Sequence, residues 1–391
     1  MIGRHRKLIL GALALAVAVR LGLAFATFGA QDVEHWTTIA GAAQHDLLGF
    51  YSEVNGGVFT IWAYPPGLVP WLVGAREASG LTGAPFHGVV QILPVVADAV
   101  LALLVLRLAP GSERARLAAA ALVLAGPVFV LISGHHGQFD SVALVPCVLA
   151  LGAWERSNEN RSILVGSLLG VGLLLKPLAV LVLLGLIPTS RSLREALVTV
   201  GCAAAVPAAS LMPFVLVDGT APLEALAYGG VPGFGGLALL SDPSWAEPWL
   251  FGDRQDVSGL GRVVGLHGVW ITAPVIGVAF ALLVRARTGP RQATLLLWLV
   301  FFVFGTNFAF QYLPWGLVFL LLAGHLRAAL AVQLVALPSA LIFYTAPHSA
   351  RWLLGAYYAA ALAVWSCWVA LLAREVSPRG RRLPVTREFQ R

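Results

Sequence analysis

Long apolar blocks follow one another along almost the whole chain, separated by short polar segments. The first runs from Leu8 to Phe28, and the others cover approximately 87–106, 117–133, 141–154, 162–175, 177–188, 196–217, 263–284, 292–306, 312–323, 328–345 and 352–373. Blocks such as Leu117 to Leu131 are apolar on every face, whereas strands of a membrane β-barrel alternate polar and apolar positions. A spanning helix needs roughly 20 apolar residues. The pattern therefore predicts an all-α, polytopic membrane protein with about 12 transmembrane segments, in a range of about 10 to 13.

The composition agrees with this pattern and leaves little room for a soluble domain. Hydrophobic residues make up 58% of the chain and charged residues only 12%, with a mean hydropathy of +0.82. Soluble domains carry about twice that charged share. The three cysteines all lie inside apolar blocks, which argues against a disulfide framework or a thiolate metal site. We predict a single transmembrane domain over residues 1–373, whose first block is too long for a signal peptide and stays as an uncleaved helix.

The membrane topology after residue 188 depends on how the block over residues 163–188 crosses the membrane. This block is either one span or two short spans broken at Lys176-Pro177. Proline removes a helical hydrogen bond and disfavours helix in the residue before it, so a break is physically plausible. With the break, most of the 26 basic residues fall on the cytoplasmic side, whereas without it the basic tail becomes external. We therefore predict that both termini are cytoplasmic and that residues 374–391 form a basic cytoplasmic tail.

Two predicted external loops, 29–86 and 218–262, are too long to be simple connections. The first contains an amphipathic run whose apolar face is formed by Trp36, Ile39, Ala40, Ala43 and Leu47. This spacing predicts a helix lying on the membrane surface, with Trp36 at the level of the headgroups. The second loop is rich in Gly, Pro and Trp, and we predict an irregular segment with one short helix at most.

The first loop also offers a candidate general base. Asp32 is either a helix N-cap, a role that aspartate favours, or a carboxylate that deprotonates a hydroxyl at the membrane face. Glu34 and His35 lie beside it, and they either belong to the same site or are solvated loop residues.

A polar run, Ser133-Gly-His-His-Gly-Gln-Phe-Asp-Ser141, joins the third and fourth blocks. Asp140 or Ser141 could cap the following helix, but His135, His136 and Gln138 have no obvious structural duty. Adjacent histidines without Cys or Asp partners are a weak metal signal. We expect these side chains to form hydrogen bonds to a sugar or a phosphate instead.

Cations at or near the membrane are candidates for binding an anionic group. Lys176 is one of only two lysines in the chain, and it either binds a lipid phosphate or forms an ion pair with Asp98 or another acid within the membrane. The same alternatives apply to Arg20, with Asp98 as its partner. Arg254 and Arg262 are basic residues on the predicted outer side, where they either bind an anion or are solvated. Gln311 and Tyr312 open the tenth block, although Tyr312 could be an interfacial aromatic residue.

Five segments, in their order along the chain, resemble the GT-C superfamily of membrane glycosyltransferases, which use polyprenyl-phosphate sugars as donors. They are Gln31-Asp-Val-Glu-His-Trp36, Tyr64-Pro-Pro-Gly67, Gly134-His-His-Gly-Gln-Phe-Asp-Ser141, Leu173-Leu-Leu-Lys-Pro177 and Gln311-Tyr-Leu-Pro-Trp315. The resemblance covers roughly residues 20–320, and bacterial polyprenyl-phosphate-mannose-dependent mannosyltransferases look nearest. The third segment is also similar to the His-Phe-Gln-Tyr-Asn run of eukaryotic dolichyl-phosphate-glucose-dependent glucosyltransferases. The loop over residues 218–262 matches no pattern of the superfamily.

The resemblance implies a GT-C fold and an inverting hexosyltransferase that acts on the extracytoplasmic face. A hexose, with mannose favoured, would pass from the polyprenyl-phosphate donor to a lipid-linked or cell-envelope glycan. The family's general base is an Asp of the first external loop, which corresponds to Asp32, with Glu34 as a second catalytic candidate. We expect the substrate to be bound by His35, His135, His136, Gln138, Asp140, Gln311 and Tyr312, and the donor phosphate by Lys176, Arg20, Arg254 and Arg262. Metal use varies across the superfamily, and without a clear ligand set we predict neither a metal nor another cofactor.

Other functions remain open at this stage. A transporter or flippase of a lipid-linked or anionic solute would also have about 12 spans and cytoplasmic termini. Such proteins have repeated halves with paired broken helices, whereas here the polar residues gather at the external boundary. The scattered basic residues do not form the basic, aromatic-lined face of a nucleic-acid-binding protein. An amino-acid usage rich in Arg, Ala, Leu and Gly suggests that the chain comes from a high-GC bacterium. We therefore predict that it is located in the cytoplasmic membrane of that bacterium.

Overall fold

The computed structural model of the chain describes residues 2–29, 31–55, 62–156, 161–227, 235–240, 259–306, 309–346 and 350–377. These residues are organised in helices, and no β-strand occurs among them. The predicted all-α class is therefore confirmed.

Eighteen α-helices lie in the described part of the chain, and short 3₁₀ segments extend or connect several of them. In the first third they are α1 (Ile2–Ala26), α2 (Gln31–His45), α3 (Phe50–Asn55), α4 (Val69–Thr82), α5 (Phe86–Val90), α6 (Ile92–Leu108), α7 (Glu113–Ala125) and α8 (Pro127–Phe129). The middle contains α9 (Asp140–Glu155), α10 (Arg161–Leu175), α11 (Val180–Leu186), α12 (Leu193–Asp218) and α13 (Ala221–Leu226). The last third contains α14 (Gly259–Ala286), α15 (Pro290–Phe304), α16 (Leu313–Leu322), α17 (Leu326–Thr345) and α18 (Leu354–Val376).

Each apolar block of the sequence contains one of these helices or a pair of them. Among the described residues, six helical segments are long and apolar enough to cross a membrane. They are Phe86–Leu108, Glu113–His135, Leu193–Asp218, His267–Ala286, Leu326–Thr345 and Leu354–Val376. Shorter apolar helices, such as Arg161–Leu175 and Pro290–Phe304, lie between them. A membrane protein is thus supported, while the number of about 12 spans and the sidedness stay predictions.

The helix break that the sequence predicted at Lys176-Pro177 is confirmed. Helix α10 ends at Leu175, and Lys176 has an extended backbone with φ −148° and ψ 127°. A 3₁₀ turn, Pro177–Ala179, then leads into α11. The proline supplies no amide hydrogen for a continuing helix, which explains why the chain changes conformation here.

The first long loop folds into a helical subassembly whose apolar core also includes residues from later segments of the chain. Helix α2 packs against α4, and the core includes Trp36, Trp62, Leu72 and Phe139. Trp36 is only 4% exposed, and its ring centroid lies 4.5 Å from that of Phe139. The apolar face of α2 therefore contacts protein. The predicted helix exists, but Trp36 packs against protein and does not face the lipid headgroups as predicted. The position of α2 at the membrane surface stays a prediction.

Candidate active site

Two segments that are far apart in the sequence meet at Asp32. Asp32 lies in the first turn of α2, where a negative charge is favoured by the helix dipole. The partners come from the connection between the third and fourth apolar blocks. His136 Nε2 lies 2.8 Å from Asp32 Oδ2, and the amide nitrogen of Gln138 donates a hydrogen bond to the same oxygen.

The backbone between these two partners explains why both reach one oxygen. A π-helical turn, Val130–His135, ends the preceding helix, and Gly137 then adopts a left-handed conformation with φ +78°. A Cβ at this position would lie only 2.6 Å from Cγ of Gln91. Glycine is therefore required both by its dihedral angle and by the close approach of Gln91. The turn brings the side chains on either side of Gly137 to the same carboxylate.

The Asp32 carboxylate is held through one oxygen and is open at the other. Both of its hydrogen bonds reach Oδ2, so Oδ1 has no partner among the described residues. The side chain is 34% exposed, whereas that of His136 is only 4% exposed. Burial raises the pKa of Asp32, but the contact with His136, together with His35 and Lys176, outweighs burial and holds the pKa below the ordinary 3.8. The group is therefore an accessible, ionised carboxylate at neutral pH.

A buried ion pair lies directly behind this carboxylate. Lys176 Nζ donates to Asp140 Oδ2 at 2.7 Å, and Trp315 Nε1 donates to the other oxygen of Asp140 at 2.7 Å. Lys176 is 1% exposed and Asp140 is fully buried. Lys176 also donates to Gln138 Oε1 at 3.3 Å, which joins the ion pair to the residue that holds Asp32.

Two tyrosine rings lie close to the Lys176 ammonium group. The ring centroid of Tyr64 is 5.1 Å from Nζ, and that of Tyr312 is 5.6 Å away. Both distances permit cation–π attraction. Tyr64 is held in turn by its backbone carbonyl, which accepts a 2.7 Å hydrogen bond from the Tyr51 hydroxyl. Burial, the Asp140 ion pair and these rings together favour the structural interpretation of Lys176 over direct binding of a phosphate.

A second buried ion pair joins α1 to α6. Arg20 pairs with Asp98, as the sequence suggested, and both side chains are fully buried. Arg20 also donates to the carbonyl oxygen of Val123 at 2.8 Å, while the hydroxyls of Ser133 and Ser141 donate to Asp98. The charge of Arg20 is thus neutralised inside the protein. The geometry gives Arg20 a role in holding helices together, and its binding of a donor phosphate stays a prediction without geometric support.

The proposed capping roles at the start of α9 are wrong. The N-cap of α9 is Phe139, and no side chain caps the helix there. Asp140 instead binds Lys176 and Trp315, and Ser141 binds Asp98.

The remaining predicted residues lie at varying distances from this arrangement. His35 is partly exposed beside Asp32, and Glu34 is exposed. His135 Nδ1 lies 3.1 Å from the hydroxyl of Thr27, away from the Asp32 carboxylate. Gln311 is partly buried in the 3₁₀ turn Phe310–Tyr312 that precedes α16. Arg254 lies outside the described residues, and of Arg262 only the helical backbone in α14 is described.

The sequence did not reveal two hydrogen-bond partners in the site: Tyr344, which binds His136, and Trp315, which binds Asp140. Tyr344, on α17, places its hydroxyl 2.7 Å from His136 Nδ1. Both residues lie far along the chain from the groups they bind, and each is an aromatic residue in an apolar helix, so no local pattern distinguishes them. Within the described part of the chain, no group of three or more His, Cys, Asp or Glu residues is arranged to hold a metal ion.

Sequence comparison does not identify a protein family for this chain. No protein-family model matches the chain, and no curated protein matches it in sequence.

Proposed function

We propose that the protein is an inverting membrane glycosyltransferase that uses a polyprenyl-phosphate sugar, with Asp32 as its general base. The observation that carries the proposal is the state of Asp32: an ionised carboxylate, anchored at Oδ2 by two buried side chains and open at Oδ1. A base must be within hydrogen-bond reach of the hydroxyl that it deprotonates, and an open oxygen meets that requirement. The resemblance of the surrounding segments to the GT-C superfamily supports the same reaction.

In the proposed step, the acceptor hydroxyl oxygen attacks the anomeric carbon of the donor sugar. As that bond forms, the bond between the anomeric carbon and the phosphate oxygen breaks, and the hydroxyl proton passes to Asp32 Oδ1. The bond electrons leave with the polyprenyl phosphate, and attack from the opposite face inverts the configuration of the sugar. The hydrogen bonds from His136 and Gln138 fix Asp32 in one orientation, which is the form of preorganisation that catalysis requires.

The donor phosphate needs cationic partners other than those buried in the site. Lys176 is covered and already paired with Asp140, and Arg20 is paired with Asp98. We therefore assign the phosphate to Arg254 and Arg262 in this proposal. The sugar is a hexose, with mannose favoured by the resemblance, and the acceptor is a lipid-linked or cell-envelope glycan on the extracytoplasmic face of a bacterial membrane.

The test is transfer by purified protein from a panel of radiolabelled polyprenyl-phosphate sugars to extracted envelope glycolipids. Asp32→Asn should lower the turnover by about 10²- to 10⁴-fold, the usual contribution of general-base catalysis. Asp46→Asn is the matched control, because Asp46 is an exposed carboxylate of the same loop that only accepts hydrogen bonds from the local amides of Leu48 and Gly49. The control should retain wild-type turnover.

Two results would contradict the proposal. One is an Asp32→Asn variant with wild-type turnover. The other is a wild-type protein that makes no labelled product from any donor but moves labelled lipid across the bilayer of reconstituted vesicles. That result would favour a transporter or flippase. Transporters also contain broken helices and buried ionisable residues, such as those at Lys176.

A further inference from the structure

The imidazole of His136 lies between two hydrogen-bonding groups that come from opposite parts of the chain. Its Nε2 is 2.8 Å from Asp32 Oδ2, on α2, and its Nδ1 is 2.7 Å from the hydroxyl of Tyr344, on α17. The rings of His136 and Tyr344 meet edge to face, with centroids 5.1 Å apart. His136 is buried, so no solvent can replace either partner without a rearrangement.

This arrangement selects one tautomer of the neutral imidazole. An ionised carboxylate only accepts hydrogen bonds, so Nε2 must carry the hydrogen if it is to bind Asp32. Nδ1 is then an acceptor and needs a donor, which is the phenolic hydroxyl of Tyr344. In the other tautomer, the lone pair of Nε2 would face the Asp32 carboxylate, and that contact is repulsive. The second partner of a histidine commonly determines which ring nitrogen carries the hydrogen.

We propose that Tyr344 is a positioning residue of the transfer reaction: it fixes the Nε2–H tautomer of His136, and through it the orientation and charge of Asp32. The inference rests on the proposed function of Asp32 as the base. It extends that function to a residue on α17 that touches neither Asp32 nor the reacting atoms in the structure.

Other charged or titratable groups surround this pair, and Tyr344→Phe keeps the ring that meets that of His135 edge to face. They are His35 beside Asp32 on α2, His135 at the end of the π-helical turn, Asp140 on α9 and Lys176 at the helix break. Since none of them occupies the Nδ1 side of His136 within hydrogen-bond distance, removal of the Tyr344 hydroxyl isolates the tautomer effect.

The experiment compares Tyr344→Phe with Tyr357→Phe in the full-length protein. Tyr357, on the neighbouring α18, is fully buried, and its hydroxyl has no hydrogen-bond partner among the described residues. Both variants remove one phenolic oxygen from the same region, but only Tyr344→Phe removes a hydrogen bond. We expect Tyr344→Phe to lower kcat by about three- to tenfold, the factor that one hydrogen bond typically contributes, with the KM values for donor and acceptor unchanged.

Two further measurements separate positioning from a loss of packing. The acid limb of the kcat profile should move to higher pH by about half a unit to one unit in Tyr344→Phe, because a weaker contact with His136 stabilises the Asp32 carboxylate less. In protein labelled with ¹⁵N-histidine, the imidazole signals of His136, assigned by their loss in His136→Gln, should show the Nε2–H tautomer in the wild type and in Tyr357→Phe. In Tyr344→Phe, a mixture of tautomers should replace it.

The outcomes keep this inference distinct from the proposed function. Wild-type kcat, acid limb and ¹⁵N signals in Tyr344→Phe would overturn the role of Tyr344 while leaving Asp32 as the base. A change in KM alone, or an equal loss in Tyr357→Phe, would also overturn it. Wild-type turnover in Asp32→Asn would instead overturn the proposed function, and the ¹⁵N signals would still report whether Tyr344 fixes the tautomer.

Discussion

Replacement of Lys176 by methionine should destabilise the fold far more than the loss of a surface charge would. Lys176 and Asp140 are 1% and 0% exposed, and they are joined by a 2.7 Å contact between Nζ and Oδ2. In Lys176→Met, Asp140 Oδ2 loses its donor while Trp315 still binds Oδ1, so a carboxylate is left buried and only half satisfied. Removal of one partner from a buried pair typically costs about 3 to 5 kcal/mol, and we expect a value in this range.

The second partner supplies the decisive comparison. In the double variant Lys176→Met with Asp140→Asn, no charge is left buried, and the asparagine oxygen still accepts from Trp315. The free energy of unfolding should therefore recover to within about 1 to 2 kcal/mol of the wild type, since a buried pair contributes little net stability over neutral groups of similar size. Glu155→Gln is the control, because the pair of Glu155 with Arg291 is 27% exposed on both sides. This pair is bidentate and only partly exposed, so its loss should cost more than that of a fully exposed pair but less than the about 3 to 5 kcal/mol expected for Lys176→Met.

Unfolding in detergent micelles, followed by the fluorescence of the 12 tryptophans, measures these differences. A single variant that costs less than about 1 kcal/mol would refute the reasoning, as would a double variant no more stable than the single one. Donor affinity should be measured alongside: a large loss of donor binding without loss of stability would restore the interpretation of Lys176 as a phosphate ligand.

Three further predictions follow from the site and from the charge pattern. Gly137→Ala should destabilise the protein by about 1 to 2 kcal/mol from its left-handed φ alone, and it should reduce transfer because the Cβ displaces Gln91; a variant with wild-type unfolding and transfer would contradict this. Because the pKa of Asp32 lies below 3.8, its stabilising charge should persist as pH falls from neutral and be lost only below that value; a titration of Asp32 with a midpoint near pH 5, observed by carboxyl NMR, would be inconsistent with the site. In a cysteine-free background, Thr38→Cys should react with an impermeant thiol reagent from outside intact cells, and Ser192→Cys should not. Both positions are exposed, and the predicted topology places them on opposite sides of the membrane. The reverse labelling would show that the topology is inverted.

Apolar patterning predicted most of the helices, since each block of the sequence contains helix in the structure. It also predicted the break before Pro177, because the effect of proline on the backbone is local. It missed α4 within the first loop, a helix with two glycines and a polar central stretch. The helical propensity of that segment is weak, and its stability comes from packing against α2, which no local pattern encodes.

Within the site, the sequence identified residue types but only some of their partners. The pairing of Arg20 with Asp98 followed from the scarcity of charges in apolar segments, where each charge needs an opposite one. The pairing of Lys176 with Asp140 was harder to predict, because Asp140 lies in a polar run where capping and ligand binding were equally reasonable roles. The contact of Tyr344 with His136 spans 208 residues, and only the folded chain brings those positions together.

The pairing of Arg20 with Asp98 has a consequence for the order in which the chain is assembled during synthesis. Arg20 emerges from the ribosome with the first helix, and its partner follows 78 residues later, on α6. An arginine near the centre of an apolar helix opposes insertion into lipid by about 2.5 to 3.5 kcal/mol. We therefore expect α1 to stay beside the insertion machinery until α6 arrives. Nascent chains cut before Asp98 should then be extractable by alkaline carbonate, whereas chains that include all of α6 should resist extraction.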